Sequence, residues 1–250
     1  MLLLEGDCLE KMKTIDTGSV DLILCDLPYG CTGCKWDVAI PFEDLWEEYH
    51  RILKPNGNVV LFGTEPFMSK VISSNPKEYS HQWYWKKNHK TNGINARRQP
   101  MRCIEEIAVF ICNKPKGKAV SKPIYNPQGV IDLEKPIYKN GRKSSQGTVY
   151  AGVKSKPHKQ TKTGYPHQFL EYPTEEKRFH PTQKPVELLR YLVRTYTNRG
   201  GVVLDNCMGS GSTGVACVLE DRSFIGIEMD HKCFKIARER IENAKDIYSR

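Results

Sequence analysis

The stretch that most constrains the fold begins at a short branched run, Val202 to Leu204. It leads into Asp205-Asn206-Cys207-Met208-Gly209-Ser210-Gly211-Ser212-Thr213-Gly214. Closely spaced glycines let a strand turn sharply and bring its backbone against a ligand. The pattern then predicts a helix over Gly214 to Glu220 and a strand over Phe224 to Ile227. That strand ends at Glu228, 17 residues after Gly211, where a carboxylate can accept both hydroxyls of a ribose. Strand, glycine turn, helix and acidic strand end make a nucleotide-binding half-unit, here at the C-terminal end of the chain rather than at its start. The lysine and serine of a phosphate cradle do not follow the glycines. Asp205 admits two readings: a seat for a positively charged amino group, or a structural cap for the turn.

The remaining elements follow α/β grammar. Leu2 to Leu4 and Ser19 to Cys25 read as strands. The second lacks long alternation, as suits a strand covered on both faces. Phe42 to Leu53 carries apolar or aromatic residues at 42, 45, 46, 49, 52 and 53, a helical period. Lys54-Pro55-Asn56-Gly57 predicts a turn, and Asn58 to Phe62 a strand. His81 to Trp85 and Glu106 to Cys112 are further strands, and Pro185 to Val193 and Asp230 to Asn243 further helices. Between Asn113 and Pro173 the periodicity fails among scattered prolines and glycines, which predicts long loops, a small irregular subdomain, or a segment that orders on its partner.

The Ser19 to Cys25 strand ends at Asp26-Leu27-Pro28-Tyr29-Gly30, the edge where open sheets place their chemistry. A carboxylate, a backbone carbonyl, a rigid proline and an aromatic ring meet there. The Asp26 carboxylate and the Leu27 carbonyl suit the two N–H groups of an amino nitrogen on a flat base. Accepting both in plane turns the nitrogen lone pair toward an electrophilic carbon. Tyr29 suits stacking on a base extruded from a duplex. A plain turn after a strand is the bland alternative. Asp7, beyond the first strand, either borders a donor's adenine, with Cys8 offering its backbone amide, or caps a short helix.

Charge points to a polyanionic partner. The net charge of +9 resides in Cys112 to His180, with 14 Lys/Arg against 5 Asp/Glu, and the rest of the chain balances. His81 to Arg102 adds Lys86, Lys87, Lys90, Arg97, Arg98 and Arg102 without an acid, interleaved with Trp83, Tyr84, Trp85 and amides such as Asn95. Such a mixture suits nucleic acid, with cations on phosphates and amides on base edges. Nine unpatterned cysteines, an odd number, predict free thiols in a reducing compartment rather than a disulfide framework. Cys31-Thr32-Gly33-Cys34 lacks the further ligands a zinc site needs, and no metal is expected. No leader or apolar run of about 18 residues is present, so a cytoplasmic chain without a membrane span is expected.

The motifs together resemble the β group of DNA amino-methyltransferases, above all the short phage and bacterial adenine enzymes. Asp26-Leu27-Pro28-Tyr29 is similar to their catalytic signature and Asp205 to Gly214 to their donor loop. His180-Pro181-Thr182-Gln183-Lys184-Pro185 is similar to the segment before their donor-binding helix. Leu27 stands where proline is usual, and Met208 where phenylalanine is commoner. The resemblance implies a permuted Rossmann-like methyltransferase fold, a seven-stranded, mostly parallel sheet with helices on both faces and an irregular target-recognition insertion. It divides the chain into a catalytic domain, 1–112 and 174–250, and a recognition region, 86–102 and 113–173. It implies S-adenosylmethionine as donor, with contacts at Asp7, Cys8, Lys184, Asp205, Cys207, Met208, Gly209, Gly211 and Glu228. It further implies duplex DNA as partner and leaves a homodimer open. Because serine is typical of cytosine-N4 enzymes at the place of Asp26, site-specific methylation of adenine N6 after base flipping is expected. Cytosine N4, or a catalytically inactive DNA-binding protein, are the alternatives.

Overall fold

A computed structural model describes residues 1–30, 37–113, 122–141, 156–175, 179 and 183–248. Cys31 and Cys34, His180, Pro181 and Thr182, and parts of the recognition segment lie outside the described residues. Two compact units are present, one of Met1–Asn126 with Gln168–Arg250, the other of Pro127–His167.

In the large unit, β1 (Leu2–Glu5), α1 (Cys8–Met12) and β2 (Val20–Cys25) are followed by α2 (Phe42–Ile52), β3 (Leu53–Gly63) and α3 (Phe67–Ser74). Next come β4 (Tyr79–Thr91) and β5 (Arg102–Ile111), joined through a 3₁₀ turn at Gly93–Asn95. The small unit holds β6 (Ile131–Lys139) antiparallel to β7 (His158–Thr163). Back in the large unit are β8 (Phe169–Glu171), α4 (Val186–Tyr196), β9 (Val202–Asp205), α5 (Ser212–Leu219), β10 (Ser223–Glu228) and α6 (His231–Tyr248). The sheet order is β1-β10-β9-β2-β3-β5-β4-β8. Pairing is parallel from β1 through β3, antiparallel on both sides of β5, and parallel between β4 and β8.

Alternate residues of the central strands feed two cores. Leu22, Leu24, Val60 and Phe62 pack with Leu188 and Leu192 of α4, Ala216 of α5 and Ile241 of α6. Ile23, Cys25, Val59 and Leu61 face Met12 of α1, Leu45 and Tyr49 of α2, and Met68 of α3. Because both faces are buried, β2 reads as a continuous apolar run rather than an alternation.

The architecture is the expected permuted Rossmann-like one, and three details correct the sequence reading. The sheet has eight strands among the described residues, not seven, because β8 adds to the edge at β4, where Phe169 stacks on Tyr84 with centroids 5.4 Å apart. The Lys54 to Gly57 turn lies inside β3: Asn56 is left-handed at φ 59° and the register with β2 shifts there, so the turn chemistry serves a bulge. Within the segment read as irregular, β6 and β7 form a hairpin. Its strands are largely exposed and have no buried face to impose an apolar alternation.

Leu192 has no solvent exposure, whereas Ile94 is fully exposed. Leu192→Ala is expected to lower unfolding stability in urea by about 2–5 kcal/mol. Ile94→Ser is expected to stay within about 0.5 kcal/mol of the parent.

Candidate active site

β2 and β9 are parallel neighbours, with Leu22 opposite Val203 and Ile23 opposite Leu204. Their carboxyl ends therefore deliver the Asp26 turn and the Asp205 turn side by side. The two turns border one cavity of about 890 Å³, which Asp7, Tyr29, Lys184 and Glu228 also line. Of the residues expected to act as catalyst or to hold the donor, only Gly211 does not line it. Gly211 has a packing task instead. Its φ is +78°, and a Cβ there would stand 2.8 Å from the Cβ and 2.9 Å from the Cα of Ala237, so the residue lets α6 close on the turn.

The donor-type turn is held largely by its own atoms. Asp205 is buried; Thr213 Oγ1 donates to its Oδ2 at 2.6 Å and the Cys207 N–H to its Oδ1 at 3.2 Å. In this arrangement the carboxylate caps the turn. Glu228 Oε2 accepts the Gly209 N–H and Oε1 the Asp230 N–H, both at 2.8 Å, which fixes the carboxylate at the end of β10. Asp7 Oδ1 accepts the N–H groups of Leu9 at 2.9 Å and Glu10 at 3.2 Å, so Asp7 caps α1 while also bordering the cavity. Cys8 and Cys25 are buried, and Cys207, half-buried, is close enough to both to influence their ionisation. Burial pushes the Cys25 thiol up to about 12, which suits packing rather than nucleophilic attack.

The Asp26 side of the cavity is built around charge. The Tyr29 hydroxyl donates to Asp26 Oδ1 at 3.1 Å, and its ring stacks on Phe67 with centroids 4.6 Å apart and planes 21° apart. Lys184 forms a short ion pair with Asp26 Oδ2 and stands 3.5 Å from Glu105 Oε2. Glu105 also pairs with Lys87. Two carboxylates and two ammonium groups thus alternate in a partly buried chain. Burial pushes the Asp26 carboxyl above its ordinary range, against the pull of Lys184. Burial also opposes ionisation of Glu105, but Lys184 and Lys87 outweigh it and hold that carboxyl below the usual range. For Lys184, burial disfavours the ammonium, and the two carboxylates more than restore it.

The structure places several of the expected site residues as follows. Lys184, expected at the donor's carboxylate, is turned to Asp26 and Glu105. Lys87, expected on DNA, lines the cavity with its side chain only 15% exposed, because β4 alternates and this position points inward. Lys86 faces out and pairs with Glu171, an exposed contact of little energetic weight. Lys90, Arg97 and Arg98 are exposed, Arg102 begins β5, and Asn95 is tied to Asn92 Oδ1 at 2.8 Å. Glu105 was missed by sequence reading; its one signal is the acid pair Glu105-Glu106 leading into the apolar half of β5.

The displaced carboxyl of Asp205 sets a pH dependence. Burial raises it from 3.8 to about 6. A raised acid contributes stability below pH 3.8 that is lost as pH rises through 6. Asp205→Asn is therefore expected to gain on the parent by about 2 kcal/mol between pH 4 and pH 6.5, measured by denaturant unfolding at each pH. A gap that stays constant with pH contradicts the assignment.

Comparison with known proteins agrees with this geometry. Residues 20–239 match the family model for N6/N4 DNA methylases, described as DNA methylase. Type II methyltransferase M.HpaI of Haemophilus parainfluenzae is 26% identical over 95% of this chain and 73% of the relative. DNA adenine methyltransferase YhdJ of Escherichia coli K12 is 26% identical over 97% of this chain and 83% of the relative. Among solved structures, the M1.HpyAVI–SAM complex aligns with a TM-score of 0.63 at 23% identity, over 96% of this chain and 98% of that one. The cytosine-N4-specific PvuII DNA methyltransferase aligns at 0.67 and 16%, over 99% and 91%. At those identities the two structures speak for the fold alone. The family match spans nearly the whole sheet and both turns, and the chain belongs to the N6/N4 family of DNA amino-methyltransferases.

Proposed function

We propose that the chain is a site-specific DNA adenine methyltransferase that uses S-adenosylmethionine and acts on adenine N6 of an extruded base in duplex DNA. The observation that carries this reading is the shared cavity: Asp26 and Tyr29 border the same space as the Gly209 turn and Glu228. A methyl bound to sulfonium supplies the electrophile. Asp26 accepts one N–H of the target amine and the Leu27 carbonyl the other, so the nitrogen lone pair points at the methyl carbon. Tyr29 borders the base plane, steadied from behind by Phe67. Glu228, already oriented by two backbone N–H groups, offers its carboxylate to the ribose hydroxyls.

The Lys184 pairing suggests how Asp26 is kept ready. A carboxylate that burial would protonate is a poor acceptor of an N–H bond, and a buried ammonium beside it favours the charged form. Lys184 thus serves the acceptor carboxylate, with Glu105 and Lys87 holding it in place. Recognition of the target sequence is assigned to 86–102 and 113–173, with Lys90, Arg97 and Arg98 the exposed cations best suited to phosphates. Aspartate at position 26 favours adenine over cytosine.

Methyl transfer from labelled S-adenosylmethionine to mixed duplex DNA, followed by hydrolysis to nucleosides, is expected to yield N6-methyladenine. N4-methylcytosine instead would overturn the choice of base. Asp26→Ala is expected to reduce transfer by about 10²–10³-fold or more while donor affinity stays near the parental value. Transfer at the parental rate refutes the mechanism. Lys184→Gln is expected to lower kcat with the donor Kd little changed. A donor Kd raised about tenfold or more, with kcat intact, returns Lys184 to the donor's carboxylate.

A further inference from the structure

A second cluster of chemically able side chains lies away from the cavity. His50 in the last turn of α2, Glu78 just before β4 and Cys112 just after β5 bring a ring nitrogen, a carboxylate oxygen and a thiol sulfur within 4.8 Å of one another. It is the one such group of three among the described residues. His50 Nε2 and Glu78 Oε2 are 2.7 Å apart. β5 is antiparallel to β3: Glu106 pairs with Gly63 near the cavity end and Ile111 with Asn58 at the other. Five residues at about 3.3 Å each put roughly 17 Å of strand between those pairs. The cluster is therefore at the opposite edge of the sheet from the methyl-transfer chemistry.

We propose that His50, Glu78 and Cys112 form a binding site for a thiophilic divalent cation of the Zn²⁺ class, with water as the fourth ligand. The donor set is right for such an ion, which takes imidazole nitrogen, carboxylate oxygen and thiolate sulfur at about 2.0–2.3 Å in tetrahedral geometry. Those bond lengths imply ligand separations of about 3.3–3.8 Å. The His50–Glu78 contact, now 2.7 Å, must therefore open by about 1 Å at most, and the separations to Cys112, which are within 4.8 Å, close by about 1.5 Å at most. One thiolate and one carboxylate neutralise a divalent ion, so the assembly carries no net buried charge. Metal entry displaces the Cys112 thiol proton to solvent.

The surrounding bonds orient the ligands as a supporting shell should. Asn75 Nδ2 donates to Glu78 Oε2 at 2.8 Å, the Asn113 N–H donates to Glu78 Oε1 at 3.3 Å, and Asn113 Nδ2 donates to the His50 carbonyl at 2.7 Å. Cys112 is fully buried, whereas the side chains of His50 and Glu78 are 39% and 20% exposed, which leaves a path for the ion and room for water. A bound ion would clip α2 to the β4–β5 pair.

The test uses the full chain, stripped with a chelator and titrated with Co²⁺ and then Zn²⁺. One equivalent of Co²⁺ is expected to produce thiolate-to-metal charge-transfer absorption. Zn²⁺ should bleach it and raise the melting temperature. Cys112→Ser should abolish both effects, and His50→Ala and Glu78→Gln should each weaken Co²⁺ binding by about tenfold or more. His50 is partly exposed, so its variant keeps the test open should Cys112→Ser fold poorly. Absence of the absorption in the parent overturns the proposal. So does absorption that persists undiminished in His50→Ala, since it would arise from other thiols among the nine cysteines.

Discussion

The parallel pairing of β2 with β9 joins segments about 180 residues apart in sequence, and the reaction geometry depends on it. Each strand ends in a turn with its own chemistry: an acidic aromatic turn after β2, a glycine turn after β9. Separately, neither can transfer anything. Because parallel neighbours end on the same edge of a sheet, the pairing fixes both turns on one cavity. Helices α4, α5 and α6 on one face and α1, α2 and α3 on the other bury the strands and hold that edge in place.

Within the cavity, desolvation is the force to be managed. Asp26, Glu105, Asp205 and Lys184 are all at least partly withdrawn from water, and each uncompensated charge would cost several kcal/mol. The solution differs between the two sides. On the donor side Asp205 is compensated by neutral donors, a threonine hydroxyl and a backbone N–H, and remains a weak acid near 6. On the acceptor side the compensation is ionic, through Lys184 and Lys87. An ionic partner can be exchanged when an amine enters; a cap built into a turn cannot.

Much of this was legible in the sequence because it is local. Most strands and helices flanking the two turns, the β2–Asp26 junction and the glycine turn closed by Glu228 follow from period and spacing, whereas α3 and β8 were not read. The Lys54 to Gly57 turn was misjudged because a left-handed asparagine serves equally in a turn or a bulge, and only the partner strand decides which. The β6–β7 hairpin left no pattern because neither of its faces is buried.

Sequence alone determined which chemistry the chain carries: a carboxylate and ring after one buried strand, a ligand-hugging backbone after another, and positive charge in the middle. Those properties depend on neighbours in the chain, and local sterics and hydrophobic period encode them. Tertiary structure alone decided which charges meet. Lys184 lies on Asp26, Lys87 turns inward to Glu105, and Asp205 accepts from Thr213 of its own turn. Those pairings join residues from separate strands or fix a rotamer inside a buried turn, and burial makes them strong. No one-dimensional pattern records which distant side chain will share a low-dielectric space with another.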